Sequence, residues 1–249
     1  MLQYNPQNNL NLTFLGKETN FVKTQRQNSL ELLTRKLKMP IKILNQVHST
    51  EIYELLDLQT DTTKISADAI LTKLKNVVIG VNTGDCVPLL LFTPNFIGAI
   101  HLGRVGLNDG LLIKVLEFLI DKKENLEESY FYLGPSLAMQ NHSAWQETAL
   151  SIPNKYKKIM PKGVHFLNNI FMIDQYLKDN NLELTSLQNQ TSIMLDSPAF
   201  IKDTLTSFGV LSCNITDSKI DTFSDSNYHS YRRDYPNHGL NFAYIYREQ

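Results

Sequence analysis

The sequence predicts a single α/β domain spanning residues 1–249. Three observations point there. From Ala67 to Leu102 four runs rich in Val, Ile and Leu follow one another with short polar breaks, which is strand-building sequence. Other segments place leucines at helical spacing. There is no internal repeat, low-complexity tract or linker to divide the chain.

Taken in order, Phe21 to Met39 is expected to be a helix, because Leu30, Leu33 and Leu37 share one face among Lys and Arg and Pro40 closes it. IKILNQVHS alternates Ile41, Ile43 and Val47, a strand ending near Gln46 to His48, with His48 at its end. DLQTDTTKIS has loop composition; ADAILTK and NVVIGVNT then read as strands. CVPLLLF and FIGAIHL follow as two more, joined by a turn of Thr93, Pro94 and Asn95. GLLIKVLEFLIDKKE has apolar residues over a wide arc, so a largely buried helix is expected from Gly110 to Lys123. YFYL, Tyr130 to Leu133, is a strand ended by Gly134 and Pro135; Met139 to Lys162 is less patterned, and IPNKYKKIMPKG, Ile152 to Gly163, has the basic, proline-punctuated character of an exposed connection. FMIDQYLKDNN and PAFIKDTLTSFGV give two helices, the second with Pro198 at its start and Gly209 at its end, and LNFAYIY alternates as a closing strand.

Composition narrows the function. Lys and Arg number 24 against 25 Asp and Glu, a net charge of −1, so there is no basic footprint for nucleic acid or an anionic membrane. MLQYNPQNNLNLTF lacks the basic and apolar regions of a signal peptide, and no apolar run has bilayer length; a soluble, cytoplasmic protein is expected. In a reducing compartment the two cysteines, Cys86 and Cys213, are better read as core residues, ligands or nucleophiles than as a disulfide.

His48 after QV, Cys86 in GDCVP and His101 in AIHLG are candidate ligands for a soft metal such as zinc, and three ligands leave a fourth position for water or substrate. Their spacing is not local, and each also suits a core or strand-end position. The same residues make a Cys/His nucleophile pair, with Asp85 available to orient an imidazole or to shape a turn. In YHSYRRDYPNHG, Arg232 and Arg233 offer planar forks to a phosphate or carboxylate, or pair with Asp234 in a solvated loop.

The ordered series QVHS, ADAILT, TGDCVPLLLFTP, IGAIHLG, LGPSL, GV with Cys213 and SYRRD resembles the laccase-domain family, also described as polyphenol-oxidase-like and as of purine nucleoside phosphorylase or peptidoglycan editing factor type. The resemblance implies a mixed α/β fold of two stacked sheets flanked by helices, like the toxin-like Cys/His hydrolases. It implies metal ligands at His48, Cys86 and His101, with zinc, or copper in some preparations, as the ion. It implies phosphorolysis of adenosine, inosine, guanosine or methylthioadenosine, and deamination of adenosine, with nucleoside and phosphate as partners. Cys86, Asp85 and Arg104 are then the expected catalytic residues, and Gln46, Arg232 and Arg233 the substrate-side ones. A true laccase is not expected, because multicopper oxidation needs more ligands than the two of six histidines found in ligand-like motifs.

The chain departs from the family next to these residues. After His101 the usual Ala-Gly-Trp-Arg-Gly is Leu102, Gly103, Arg104, Val105 and Gly106, which moves the arginine by one position and so turns its side chain elsewhere. In LGPSLAMQNHSAW the family's glycine is Ala138 and its glutamate Ser143, and after SYRRD a Gly-Arg has become Gly239 and Leu240. An active enzyme of altered specificity is the first expectation; a divergent paralogue that binds metal or nucleoside is the second, and a metal-free Cys86 hydrolase the third.

Overall fold

The computed structural model describes residues 1–7, 9–18, 26–145, 153–161 and 191–249. Strand β1 (Leu2–Gln7) folds back on β2 (Leu10–Leu15); α1 (Arg26–Leu37) and the short β3 (Ile41–Ile43) and β4 (Ile52–Glu54) follow. β5 (Ala69–Thr72), β6 (Val78–Thr83), β7 (Val87–Phe92) and β8 (Ile97–Leu102) are buried at every position. Burial on both faces is why they read as continuous apolar runs instead of alternating ones. Next come α2 (Arg104–Asn108), α3 (Leu111–Asp121), β9 (Tyr130–Leu133), β10 (Ser143–Trp145), β11 (Lys157–Pro161) and β12 (Thr191–Leu195). The chain ends with α4 (Ser197–Ser207), β13 (Ile215–Asp217), the single turn α5 (Tyr231–Asp234) and β14 (Asn241–Arg247).

Two mixed sheets carry the structure, one in the order β1-β2-β14-β6-β3 and the other β13-β9-β7-β8-β5-β4. They stack face to face: Leu12 and Phe14 of β2, Val81 of β6 and Ile245 of β14 meet Ile70, Leu90 and Ala99 of the other sheet. The outer face of the six-stranded sheet buries Leu89 and Ile100 against Val115 and Leu119 of α3 and Ile201 of α4. The outer face of the five-stranded sheet packs Val78 and Tyr244 on Leu33 of α1. Each fully buried leucine contributes about 1.5–3 kcal/mol. The expected two stacked sheets with flanking helices are therefore present.

Individual elements differ from expectation. The strand read as reaching Gln46 to His48 ends at Ile43, and His48 lies in a loop at φ +60°. The reason is local: Gln46 spends its side chain, not its backbone, on Asn82 of β6, with Nε2 donating to the Asn82 carbonyl at 2.8 Å and Oε1 accepting from its N–H at 2.8 Å. The first helix is described over Arg26–Leu37, and the expected start from Phe21 lies outside the described residues. α3 is one-faced, since Ile113 and Ile120 are 39% and 48% exposed. The stretch taken for an exposed connection supplies β11, and the less patterned residues before it β10; both pair with β12, and a partner thirty or more residues away leaves no local periodicity to read. The expected helix at FMIDQYLKDNN, residues 171–181, lies outside the described residues.

Gly134 shows how tightly the sheets meet above the site. A Cβ there would stand 2.3 Å from the Phe14 ring and 2.8 Å from Pro88 Cγ. Gly134→Ala is expected to cost about 2 kcal/mol or more in denaturant unfolding, as overpacked cores do. A loss below about 0.5 kcal/mol would show that Phe14 can yield.

Candidate metal centre

The hairpin β7–β8 explains why a thiol and an imidazole bracket two apolar runs. Its register sets Pro88 opposite His101 and Val87 opposite Leu102, so Cys86 emerges one step beyond the paired end, beside His101. The turn at Thr93 to Phe96 lies at the far end. The loop after β3 brings His48 over the same end, with its Nε2 3.9 Å from Cys86 Sγ and its ring centroid 4.7 Å from that of His101. One candidate ligand atom from each residue lies within 4.8 Å of the other two. Gly103 makes room: a Cβ there would meet His48 Cδ2 at 2.7 Å and Cys86 Sγ at 3.3 Å.

Asp68 holds the arrangement together, and the sequence reading passed over it although it sits in the quoted ADAILT. Fully buried, it accepts from His101 Nδ1 through Oδ1 at 2.8 Å, which leaves His101 Nε2 for the metal position. Its Oδ2 accepts the N–H groups of Val47 and Ser49, at 3.2 and 2.6 Å, and the Ser49 hydroxyl at 2.9 Å. One carboxylate thus orients His101 and pins the turn that carries His48, as outer partners of metal-binding histidines do.

The donor set fits a zinc-type ion. Zn–N near 2.0–2.1 Å and Zn–S near 2.3 Å place tetrahedral donors roughly 3.3–3.6 Å apart, so a spacing within 4.8 Å needs to contract by about 1.5 Å at most. Among the described residues this is the one group of three His, Cys, Asp or Glu side chains that could hold an ion.

Electrostatics prepare the thiol for ligation. Burial pushes the Cys86 thiol up, but the adjacent His101 charge and hydrogen bonds from both imidazoles outweigh it and bring the thiol down to about 6. Burial likewise pushes His101 down, and Cys86 and Asp68 more than reverse this, lifting it to about 9. Without metal the two therefore form a thiolate–imidazolium pair between those values. Alkylation of Cys86 in metal-stripped protein is expected to reach half its maximal rate near pH 6, well below an ordinary thiol, and to stop when metal is restored. A midpoint above pH 8 would contradict the pairing.

The other expected residues divide. Asp85 orients neither imidazole: at φ +87° its Oδ1 accepts from the Thr222 hydroxyl at 2.7 Å, its Oδ2 from the Arg232 N–H at 2.6 Å, and its carbonyl from the Leu137 N–H at 2.9 Å. It is the knot that ties three loops around the site. Asp85→Ala is expected to keep the metal yet lower the unfolding free energy by about 1–3 kcal/mol, because the Thr222 hydroxyl and the Arg232 N–H lose their acceptor; an unchanged denaturant midpoint would show the loops hold without it. Arg233 is consumed by the fold. Its Nε and Nη2 engage Asp234 at 2.7 and 2.8 Å, Nη1 donates to the carbonyls of Thr222 and Phe223, and Nη2 to that of Tyr228. Gln46 acts as the clamp on Asn82 described above.

Arg104 and Arg232 line a cavity of about 600 Å³ that opens onto His48, Cys86 and His101. His142, Asn82 and His238 line it too and were not anticipated. His142 stands in the quoted LGPSLAMQNHSAW; burial, then the charges of Arg232 and Arg104, push it down to about 4, so it is a neutral imidazole at physiological pH. Nothing in its local sequence signals this, because the two arginines come from distant segments.

Comparison with known proteins agrees with this architecture. The family profile described as multi-copper polyphenol oxidoreductase laccase matches residues 3–248. A purine nucleoside phosphorylase of Rickettsia prowazekii is 30% identical over 213 residues, 83% of this chain and 77% of the relative. One of Aquifex aeolicus is 39% identical over 90 residues, 36% of this chain and 41% of the relative, so that match spans under half of its length. Among solved structures, the hypothetical protein YfiH of Bacillus licheniformis superposes with a TM-score of 0.75 at 16% identity, covering 96% of this chain and 93% of that one. YlmD of Geobacillus stearothermophilus gives 0.73 at 18% identity, covering 96% and 92%. With a profile match over nearly its whole length and the same fold in these neighbours, the chain belongs to the multi-copper polyphenol oxidoreductase laccase family.

Proposed function

We propose that this protein is a zinc-dependent purine nucleoside enzyme of the cytoplasm that cleaves the N-glycosidic bond with phosphate, and that it deaminates adenosine at the same site. The observation that carries the reading is the convergence of His48, Cys86 and His101, held by Asp68, on a cavity of nucleoside size that also receives two arginines. The names of the relatives supply the substrate class. Bound zinc supplies Lewis acidity and a low-pKa water at neutral pH.

The chain's own groups do the rest. Cys86 and the two histidines are ligands, so Cys86 is not the nucleophile. Arg232, whose backbone Asp85 fixes, and Arg104 at the start of α2 hold phosphate by charge-assisted hydrogen bonds and offset the charge that the attacking oxygen brings to the ribose. The moved arginine of the family pattern thus still reaches the cavity: Arg104 lines it, with Val105 beside it.

Incubation with inosine or adenosine and phosphate, followed for free base, ribose 1-phosphate and inosine, is expected to show phosphorolysis, and with adenosine inosine as well. No product at high enzyme concentration contradicts the enzyme reading and leaves the binding paralogue. The thiolate–imidazolium pair favours a second reading, a metal-free Cys86 hydrolase. Protein purified without added metal separates them, since the proposal expects about one zinc per chain.

A further inference from the structure

The cavity wall contains a polar group with nothing to bond. Asn82 is 5% exposed, and both its side-chain Oδ1 and Nδ2 are buried without a hydrogen-bond partner. Its backbone N–H and C=O are both taken by Gln46, at a position in β6 opposite Phe242 of β14. Buried polar atoms are almost always paired, and an unpaired amide costs stability, so the pair of orphaned atoms asks for a partner from outside the chain.

A second orphan adjoins it. His238, three residues before β14, lines the same cavity and has a buried Nδ1 with no partner. The turn that follows Asn82 runs beside this segment, since a Cβ on Gly84 would meet the Gly239 carbonyl at 3.5 Å. Tyr231, packed edge-on to His238, offers an exposed ring at the same wall.

We propose that Asn82 reads the base of the nucleoside, with its amide donating to the 6-position oxygen and accepting from the adjacent ring N–H of a 6-oxopurine, and that His238 assists from the side. The assignment rests on the purine nucleoside reading above and gives it a specificity-determining residue. An amide presents a donor and an acceptor side by side, which is the pattern that edge of the base requires and that neither phosphate nor ribose would need. The base then lies along the Asn82 wall, and the arginines face the ribose and phosphate.

The test compares two ligands and two proteins by titration calorimetry in phosphate-free buffer, with zinc-loaded protein. Inosine carries the 6-oxygen and ring N–H; benzimidazole riboside keeps the ribose and the flat bicycle and lacks both. Native protein is expected to bind inosine ~30-fold more tightly, the worth of two neutral hydrogen bonds, and Asn82→Leu to bind the two within about threefold of each other. Zinc content should be unchanged in the variant and its melting temperature equal or higher, because the orphaned amide is gone. Asn82→Ala is the second variant if the leucine does not fit. A merely structural role would weaken both ligands together and leave their ratio intact, and that result overturns the assignment. So does a native protein that binds both ligands equally. If native protein binds neither nucleoside, the purine reading itself fails and takes this assignment with it.

Discussion

His48→Ala is expected to release the metal and, with it, the nucleoside chemistry, while leaving the fold intact. His48 is an exposed residue on a loop, and its imidazole lies beside Gly103, Cys86 and His101. Its loss removes one of three donors, so metal affinity should fall by more than the roughly 10- to 100-fold that loss of an outer partner costs, and turnover with it. Metal analysis after dialysis should fall from about one equivalent to near none, with an unfolding free energy within about 1 kcal/mol of native. Cys86→Ala should behave alike for metal. A His48→Ala protein that keeps both metal and turnover would remove His48 from the site.

Asp68→Asn is expected to have the second-largest effect, and on two properties together. An amide in place of the carboxylate presents an NH2 either to His101 Nδ1 or to the N–H groups of Val47 and Ser49, all of which need an acceptor. Metal affinity should drop about 10- to 100-fold through loss of the His101 orientation and of the His48 turn. Stability should drop as well. Burial pushes Asp68 up, but the hydrogen bonds from His101 and Ser49 overcome it and bring the carboxyl down to about 2. A depressed carboxyl stabilises the fold above its unfolded value of 3.8, and that contribution, about 2 kcal/mol, is lost as pH falls towards 2. His101 has the opposite sign in metal-free protein: raised to about 9, it stabilises fully below 6.5 and loses this as pH rises through 9. Denaturant unfolding at a series of pH values should therefore show a steeper acid limb in native protein than in Asp68→Asn, which keeps the contribution of Asp234 and other lowered carboxyls. Equal stability of the two at pH 7, with an unchanged acid limb, would contradict the assignment.

What could be read from the sequence was what a single segment determines. The β7–β8 hairpin was legible because two apolar runs flank Thr93, Pro94 and Asn95, and α4 because Pro198 and Gly209 mark its ends. Cys86, His48 and His101 were legible as ligand types in short motifs, although their convergence depends on a crossover from β3 to the end of β7 and β8 that no local pattern encodes. Asp68 escaped notice because its work is done across 33 residues to His101 and 19 to Ser49. Asp85 was left open between an imidazole partner and a turn residue because adjacency to Cys86 in sequence says nothing of direction; at φ +87° it faces Thr222 and Arg232. Arg232 and Arg233 look equivalent in SYRRD, and both sit on the same four-residue helix, yet one lines the cavity and the other is locked to Asp234 and four backbone carbonyls.

The family's description speaks of several coppers, whereas the described residues bring together one three-donor group, two imidazoles and a thiolate. That set suits a single borderline-soft ion with an open position better than a copper cluster. X-ray absorption at the zinc edge, on protein purified without added metal, tests this most directly. The account predicts one zinc per chain with two nitrogen neighbours at about 2.0–2.1 Å, one sulfur at about 2.3 Å and one further light atom. Absence of bound zinc, or a first shell without sulfur, would contradict it.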